Sequence, residues 1–258
     1  MAKRAYGRIV SWEGASLWVF GTRPGEGRYP KTAPHSHHAV QVTLALRGSF
    51  TLETQAGAID GGVAAVAPDM EHTFEATEGA IAHLFVDPDG RAGRALQSRL
   101  FSSASLVPLN ELELGDLPAR LRADFEASDA AGPALTALGR DLLAKLVPNT
   151  ERDERPEARV RKMSAWAASR LDKPVSLEEA AAHVGLSSGR ARHLFVENTG
   201  LPFRTYLLWL RLTKAVELFS VGTPLTEAAL AAGFSDSSHL SRTFKRMFGI
   251  AADSLRIF

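Results

Sequence analysis

The sequence predicts an α+β protein of two domains: a sheet-rich barrel with flanking helices over residues 1–147, and an all-α domain over 158–258. Three observations predict it. Short alternating strands fill the chain as far as about residue 87, with no long helix between them. From residue 91 the apolar residues switch to helical period. And one stretch of the C-terminal part, Leu225–Arg256, is a second copy of the stretch that begins at Ser176. At 258 residues the chain is long enough to bury a core in each domain.

The first domain reads as the strands SLWVF, VQVTLAL, SFTLET, VAAVA and AIAHLFV between Gly, Pro and Asp turns. Many short strands without a long helix point to a barrel or sandwich. Within them, PHSHHAVQVTLALRG alternates so that His35, His37, Gln41 and Thr43 share one face. His38, Val40, Val42, Leu44 and Leu46 share the other. A second segment, GGVAAVAPDMEHTF, adds Pro68 and His72. Trp12, Trp18, Phe20, Phe50, Phe74 and Phe85 fall on or beside strands, where most aromatic residues are core; alternation does not choose which of them face a ligand.

These two segments resemble the cupin barrel. His35, His37, Gln41 and Gly48 stand at the spacings of its first motif, and Gly62, Pro68 and His72 at those of its second. Two departures stand out: Gln41 replaces the usual glutamate, and Met70 stands where a glycine is common. The resemblance implies a pocket lined by His35, His37, Gln41, Thr43 and His72. These groups either receive an organic effector or, through His35, His37, Gln41 and His72, hold a divalent metal, since neutral imidazole suits zinc, nickel, iron or copper. An amide in place of the carboxylate removes the anionic ligand and argues against redox chemistry.

Three segments then carry leucines at three- and four-residue intervals: RAGRALQSRLF, LPARLRADFEAS and ALTALGRDLLAKLV. Such helices pack on the barrel or against a second subunit, which would make the protein a homodimer. PNTERDERPE, residues 148–157, is charged and aperiodic, and reads as the linker. Charge divides at the same place. Residues 1–150 hold 14 Lys/Arg and 17 Asp/Glu, a net of −3; residues 158–258 hold 14 and 8, a net of +6. The basic half suits a phosphate-bearing partner. The absence of cysteine excludes disulfides, thiolate metal sites and cysteine nucleophiles, and fits a cytoplasmic protein. No run approaches the roughly 18 apolar residues of a membrane span.

Beyond the linker, a helix from about Ala158 buries Val160, Met163, Trp166, Ala167 and Leu171. Ser176 and Glu179 form a capping box for the next. Leu177, Ala181, Gly185 and Leu186 precede Leu225, Ala229, Gly233 and Phe234 by 48 residues, whereas Phe195 and Gly200 precede Phe244 and Gly249 by 49. An offset that grows by one at the turn means one helix-turn-helix unit present twice, with the longer turn in the second copy. FRTYLLWLRLTKAVELF, between them, predicts a helix about 25 Å long. Such a spacer can hold two recognition helices near one DNA turn apart, about 34 Å.

Residues 158–256 are very similar to the DNA-binding domain of AraC-type (AraC/XylS family) transcription regulators. Tyr206, Leu207, Arg211, Leu212 and Ala215 match in the linker helix. Ala229, Gly233, Phe234, Ser238, His239, Leu240, Ser241, Arg242, Phe244, Lys245, Phe248, Gly249 and Arg256 match in the second unit. Ala251, Ala252 and Leu255 depart from the common residues near the C-terminal stop. The resemblance implies a non-enzymatic regulator that reads double-stranded DNA, with a small-molecule effector in its N-terminal domain and RNA polymerase as partner if it activates. Base-reading positions fall on Gly189, Arg192 and His193, and on Ser238, His239 and Arg242; Arg190, Lys245 and Arg246 meet phosphates or solvent. Arg192 and Arg242 can pair bidentately with guanine. Gly189 offers no side chain. The rival reading is a cupin metalloenzyme, a dioxygenase or isomerase, with a DNA-tethering tail.

Overall fold

A computed structural model gives the fold, described over residues 5–12, 14–22, 29, 31–76, 79–127, 132–147 and 157–257. All of the expected linker except Glu157 lies outside the described residues. By packing, the chain divides into Met1–Asp153 with Phe244–Phe258, and Glu154–Thr243. The sequence had suggested a division at 148–157 alone; residues 244–258 group with the first unit because a short C-terminal strand joins its sheet.

The first unit contains β1 (Ala5–Trp12), β2 (Ala15–Gly21), β3 (Val40–Arg47), β4 (Phe50–Thr54), β5 (Gly57–Gly61), β6 (Val63–Val66), β7 (His72–Ala76) and β8 (Ala80–Val86). There follow α1 (Arg91–Leu100), β9 (Leu106–Pro108), α2 (Leu117–Glu126), α3 (Gly132–Leu146) and, at the far end of the chain, β10 (Leu255–Ile257). The strands form a seven-stranded sheet, β10-β1-β2-β8-β3-β6-β9, and a three-stranded one, β5-β4-β7. The expected α+β architecture is therefore present, with the sheet domain built as two ladders rather than one closed ring. A bridge between His35 and His72 links the segment before β3 to the small sheet. β10 pairs in parallel with β1, Ala5 opposite Leu255.

Alternation sorts the large sheet into two faces. Leu17, Val19, Val40, Val42, Leu44, Ala82 and Leu84 enter one core with Leu96, Leu121, Leu135 and Leu142 of α1–α3. These leucines are thereby buried within the chain, which accounts for the helical periodicity without a second subunit. A buried ion pair fastens the layer, with Arg8 Nη2 2.8 Å from Asp124 Oδ2. The opposite face of β2, β3 and β8 carries Trp18, Phe20, Gln41, Thr43, Ile81, His83 and Phe85. That apolar residues occupy both faces explains the nearly continuous apolar runs in these strands.

The second unit is helical: α4 (Ala158–Ala168), α5 (Leu177–His183), α6 (Ser188–Thr199), α7 (Phe203–Ser220), α8 (Leu225–Ala231) and the start of α9 (Ser237–Phe248). Val160, Met163, Ala167, Ala181, Leu194, Phe195, Tyr206 and Leu207 share its first core. Tyr206 and Trp209 are buried, and the Trp166 ring lies beneath the Arg170 guanidinium. Among the described residues no helix is long and apolar enough to cross a membrane.

Candidate nucleic-acid interface and effector cavity

The two helix-turn-helix units are built by the same local code. α5 begins with the capping box: Ser176 Oγ accepts from Glu179 N, and the Glu179 carboxylate accepts from Ser176 N. α5 and α8 each end in a turn through a glycine with positive φ, Gly185 at 69° and Gly233 at 83°. Two residues separate Gly185 from α6 and three separate Gly233 from α9, which is the one-residue difference between the offsets. α6 is capped by Ser187, whose Oγ accepts from Arg190 N. Asp236 caps the start of α9, its Oδ1 2.7 Å from His239 N. That backbone bond, with one from the Ser235 hydroxyl, holds the Asp236 carboxyl below its ordinary pKa.

Each second helix buries one stripe and exposes another. Ala191, Leu194 and Phe195 of α6 are buried, as are Leu240, Thr243 and Phe244 of α9. Gly189, Arg190, Arg192 and His193 are exposed on α6; Ser238, Arg242, Lys245 and Arg246 are exposed on α9. His239 is only half-exposed: its ring stands edge-on to Phe234 at 5.1 Å and its Nδ1 is 3.3 Å from Ser235 Oγ. Among the described residues no ion pair occupies Arg190, Arg192, Arg242, Lys245 or Arg246. The offset of 49 superposes Gly189 on Ser238, Arg190 on His239, Arg192 on Ser241 and His193 on Arg242. The two helices thus present arginine at different heights. α7, which joins the units, has 18 residues, or about 27 Å at 1.5 Å per residue.

The first unit holds a cavity of about 80 Å³ between its sheets. Trp18, Phe20, Phe74 and Phe85 wall it, with His35, Gln41 and His83 supplying polar groups. Phe248 and Leu255 of the C-terminal segment also line it, and Phe248 lies 4.8 Å from Trp18 between ring centroids. Among the described residues no Lys, Arg, Asp or Glu lines it. Of the five pocket residues expected from the sequence, His35 and Gln41 reach the cavity; His37, Thr43 and His72 lie in the polar cluster beside it.

That cluster is a chain of hydrogen bonds. His37 Nε2 lies 2.8 Å from Gln41 Oε1, Gln41 Nε2 donates to Thr43 Oγ1 at 2.9 Å, and Thr43 Oγ1 lies 3.0 Å from His83 Nδ1. Gln41 and Thr43 face the same side of β3, as alternation required, and Thr43 stands directly opposite His83 on β8. His35 Nδ1 and His72 Nδ1 donate to the Ala33 and Met70 carbonyls, each at 2.9 Å. Burial is the main cause that lowers all four imidazole pKa values: His35 to about 4, His83 to about 3, and His37 and His72 in the same direction. These rings are neutral at pH 7.

His38 behaves oppositely. Burial would lower its pKa, but Asp69 Oδ2 at 2.8 Å and Asp89 Oδ2 at 3.4 Å outweigh that and raise it to about 9. It points away from the cluster and ties the segment before β3 to the loops at Asp69 and Asp89.

Residues 180–256 match the model of a helix-turn-helix domain family. Over 255 residues the chain is 27% identical to the HTH-type transcriptional activator RhaS of Escherichia fergusonii, spanning 90% of this chain and 88% of that one. It is 32% identical over 90 residues to the transcriptional regulator Rob of Salmonella typhimurium, covering 34% of this chain and 31% of Rob. The chain is thus similar to AraC-type transcription regulators over most of its length, and its residues 180–256 carry their kind of helix-turn-helix domain.

It also shares its fold with ToxT of Vibrio cholerae. An apo form superposes with a TM-score of 0.60 at 12% identity, over 94% of this chain and 97% of ToxT. ToxT bound to an unsaturated fatty acid gives 0.57 at 12% identity, over 94% of each chain. What sequence reading missed in this regulator is His83, Tyr29 and the C-terminal lining residues of the cavity. His83 had a signal: a histidine at an inward position of the otherwise apolar AIAHLFV. The C-terminal residues had none, because β10 reaches β1 across nearly the whole chain.

Proposed function

We propose that this regulator reads double-stranded DNA with α6 and α9 in two successive major-groove segments, and that the aromatic cavity takes a small-molecule effector. The observation that carries the reading is the repeated unit: two capped helices, each with an exposed basic stripe, on a spacer of about 27 Å. Arg192 and Arg242 would contact base edges, and Arg190, Lys245 and Arg246 the backbone. His193, in register with Arg242, and Ser238 would read less exclusively, while His239 also braces the turn. Gly189 leaves the start of α6 without a side chain, so α9 would carry the larger share of specificity. A cytoplasmic homodimer would present four such helices, and as an activator it would also contact RNA polymerase.

The cavity lining favours an uncharged, largely apolar effector that accepts or donates one or two hydrogen bonds at His35, Gln41 or His83. ToxT, in the same fold, has been seen with a fatty acid, but among the described residues no Lys or Arg side chain lines this cavity to meet a carboxylate. We take the sheet domain to be a sensor rather than an enzyme, in line with the transcriptional activator to which the chain is similar over most of its length. An apolar cavity of about 150 Å³ takes benzene; one of about 80 Å³ takes a ring only if a wall moves. Phe248 is the wall that ends α9, so displacement there acts on the reading helix itself.

Selection of binding sites from random DNA tests the reading. The expected result is two blocks of sequence preference about one helical turn apart. Preference no better than for bulk DNA would overturn it.

A further inference from the structure

Within the helical unit, one arginine of the spacer helix connects the two helix-turn-helix units. Helix α7 fixes the distance between its ends, but a helix does not fix how each unit is turned about the loops that join it. Those loops are residues 200–202 and 221–224, and each contains a glycine with positive φ, Gly200 at 73° and Gly222 at 91°. Tertiary contact has to supply the rotation. Gly233, in the turn between α8 and α9, lies against the segment between α4 and α5: a Cβ there would fall 1.8 Å from the Leu171 carbonyl oxygen and 2.9 Å from Arg211 Nε. Leu171 in turn shares a core with Leu194 and Phe195 of α6. Arg211, on α7, donates from Nη2 to the Lys173 carbonyl at 3.2 Å, two residues further along that segment. One side chain therefore lies beside the turn that leads into α9 and bonds the loop that leads into α5.

Arg211 is more than a surface cation. It is half-buried, and burial moves its pKa down from the ordinary arginine value. Among the described residues no carboxylate pairs with it, and its Nε is buried without a hydrogen-bond partner. A charge held in this way costs free energy, so the stability of α7 alone does not explain its place. Gly185, the matching glycine of the first unit, has open space where Gly233 meets the Leu171 carbonyl and Arg211. The seal is particular to the second turn. We propose that Arg211 is a positioning residue that locks the second helix-turn-helix unit onto the first, and so sets the spacing and rotation at which α6 and α9 read DNA together. This role rests on the reading of α6 and α9 as paired DNA readers. Lysine would not reproduce it in full, since a single ammonium lacks the planar fork that places one nitrogen by Gly233 and another on Lys173.

The test measures the affinity of the full chain, by anisotropy of labelled DNA, on three DNAs built from the sequence that the parent selects. One carries the two blocks at their selected spacing, one has a base pair inserted between them, and one has a single block beside random sequence. An inserted base pair turns the second block by about 34–36°. The parent should lose about 10-fold or more on insertion, the scale of a lost base contact. Arg211→Met keeps the apolar stem and removes the donors. It should bind the selected spacing more weakly, lose severalfold less than the parent on insertion, and bind the single-block DNA as the parent does. A merely destabilised domain would instead weaken all three alike. Arg211→Lys should fall between the two, and it carries the comparison if thermal melting shows that Arg211→Met does not fold. An insertion penalty in folded variants equal to the parent's, uniform weakening on all three DNAs, or a two-block parent indifferent to insertion would overturn the proposal. A parent that selects a single block would overturn the reading of paired readers, and this role with it.

Discussion

At the scale of single residues, what distinguishes the reading helices is which side chains are left uncommitted. Arg242 is exposed and outside any ion pair among the described residues, so replacing it removes only what it does with a partner. Arg242→Ala is expected to weaken specific DNA binding by about 1–3 kcal/mol and to relax preference at one base position. Lys245→Ala should weaken specific and random DNA alike and flatten the salt dependence; salt titrations on both DNAs separate the two outcomes. Gly233 makes a different demand. It has positive φ, and a Cβ there would fall 1.8 Å from the Leu171 carbonyl oxygen. Gly185 shares the positive φ but has open space around it. Gly233→Ala should therefore destabilise by more than Gly185→Ala, for which about 1–2 kcal/mol is expected; denaturant midpoints would show the difference. The histidine and glutamine positions were legible from alternation and spacing. The hydrogen-bonded chain from His37 through Gln41 and Thr43 was not, since it ends on His83, which lies 40 residues from Thr43 on another strand.

At the scale of elements, legibility follows the range of the forces that make each one. The C-terminal helices were readable because caps, glycine turns and apolar periodicity are local signals. α1–α3 start and end within a few residues of the leucine-rich segments that predicted them. The capping box of α5 is the sharpest case. Ser176→Ala should cost about 0.5–2 kcal/mol, with Glu179→Ala giving a similar loss, because each side chain satisfies the other residue's backbone N–H; thermal or chemical melting measures both. Strands β1, β5, β7, β9 and β10 are not among those the sequence predicts. β5 is short and glycine-bounded, and β10 exists only through its pairing with β1, Ala5 with Leu255. The two-ladder sheet domain, where the sequence left barrel and sandwich both open, is the same lesson: the alternation of a strand says which face is buried, not which strand it pairs with.

At the scale of the whole molecule, α9 runs across the division between the units: Arg242 falls in the helical unit, and Phe248 in the unit with the cavity. A ligand that shifts Phe248 would bias the helix that carries Arg242, which is the differential interaction that effector control requires. In Phe248→Ala the cavity gains room, so an effector would enter without moving the segment. Its affinity should hold or rise while its effect on DNA affinity shrinks. Trp18 fluorescence for the effector and anisotropy for labelled DNA measure the two separately, and an undiminished effect would contradict the coupling. The measurement that bears most directly on the central claim of two readers on one spacer is selection from random DNA by the parent, Arg192→Ala and Arg242→Ala. The account predicts two blocks of preference about 10–10.5 base pairs apart, with Arg242→Ala erasing a position in one and Arg192→Ala in the other. A single block, or both variants relaxing the same position, would contradict it.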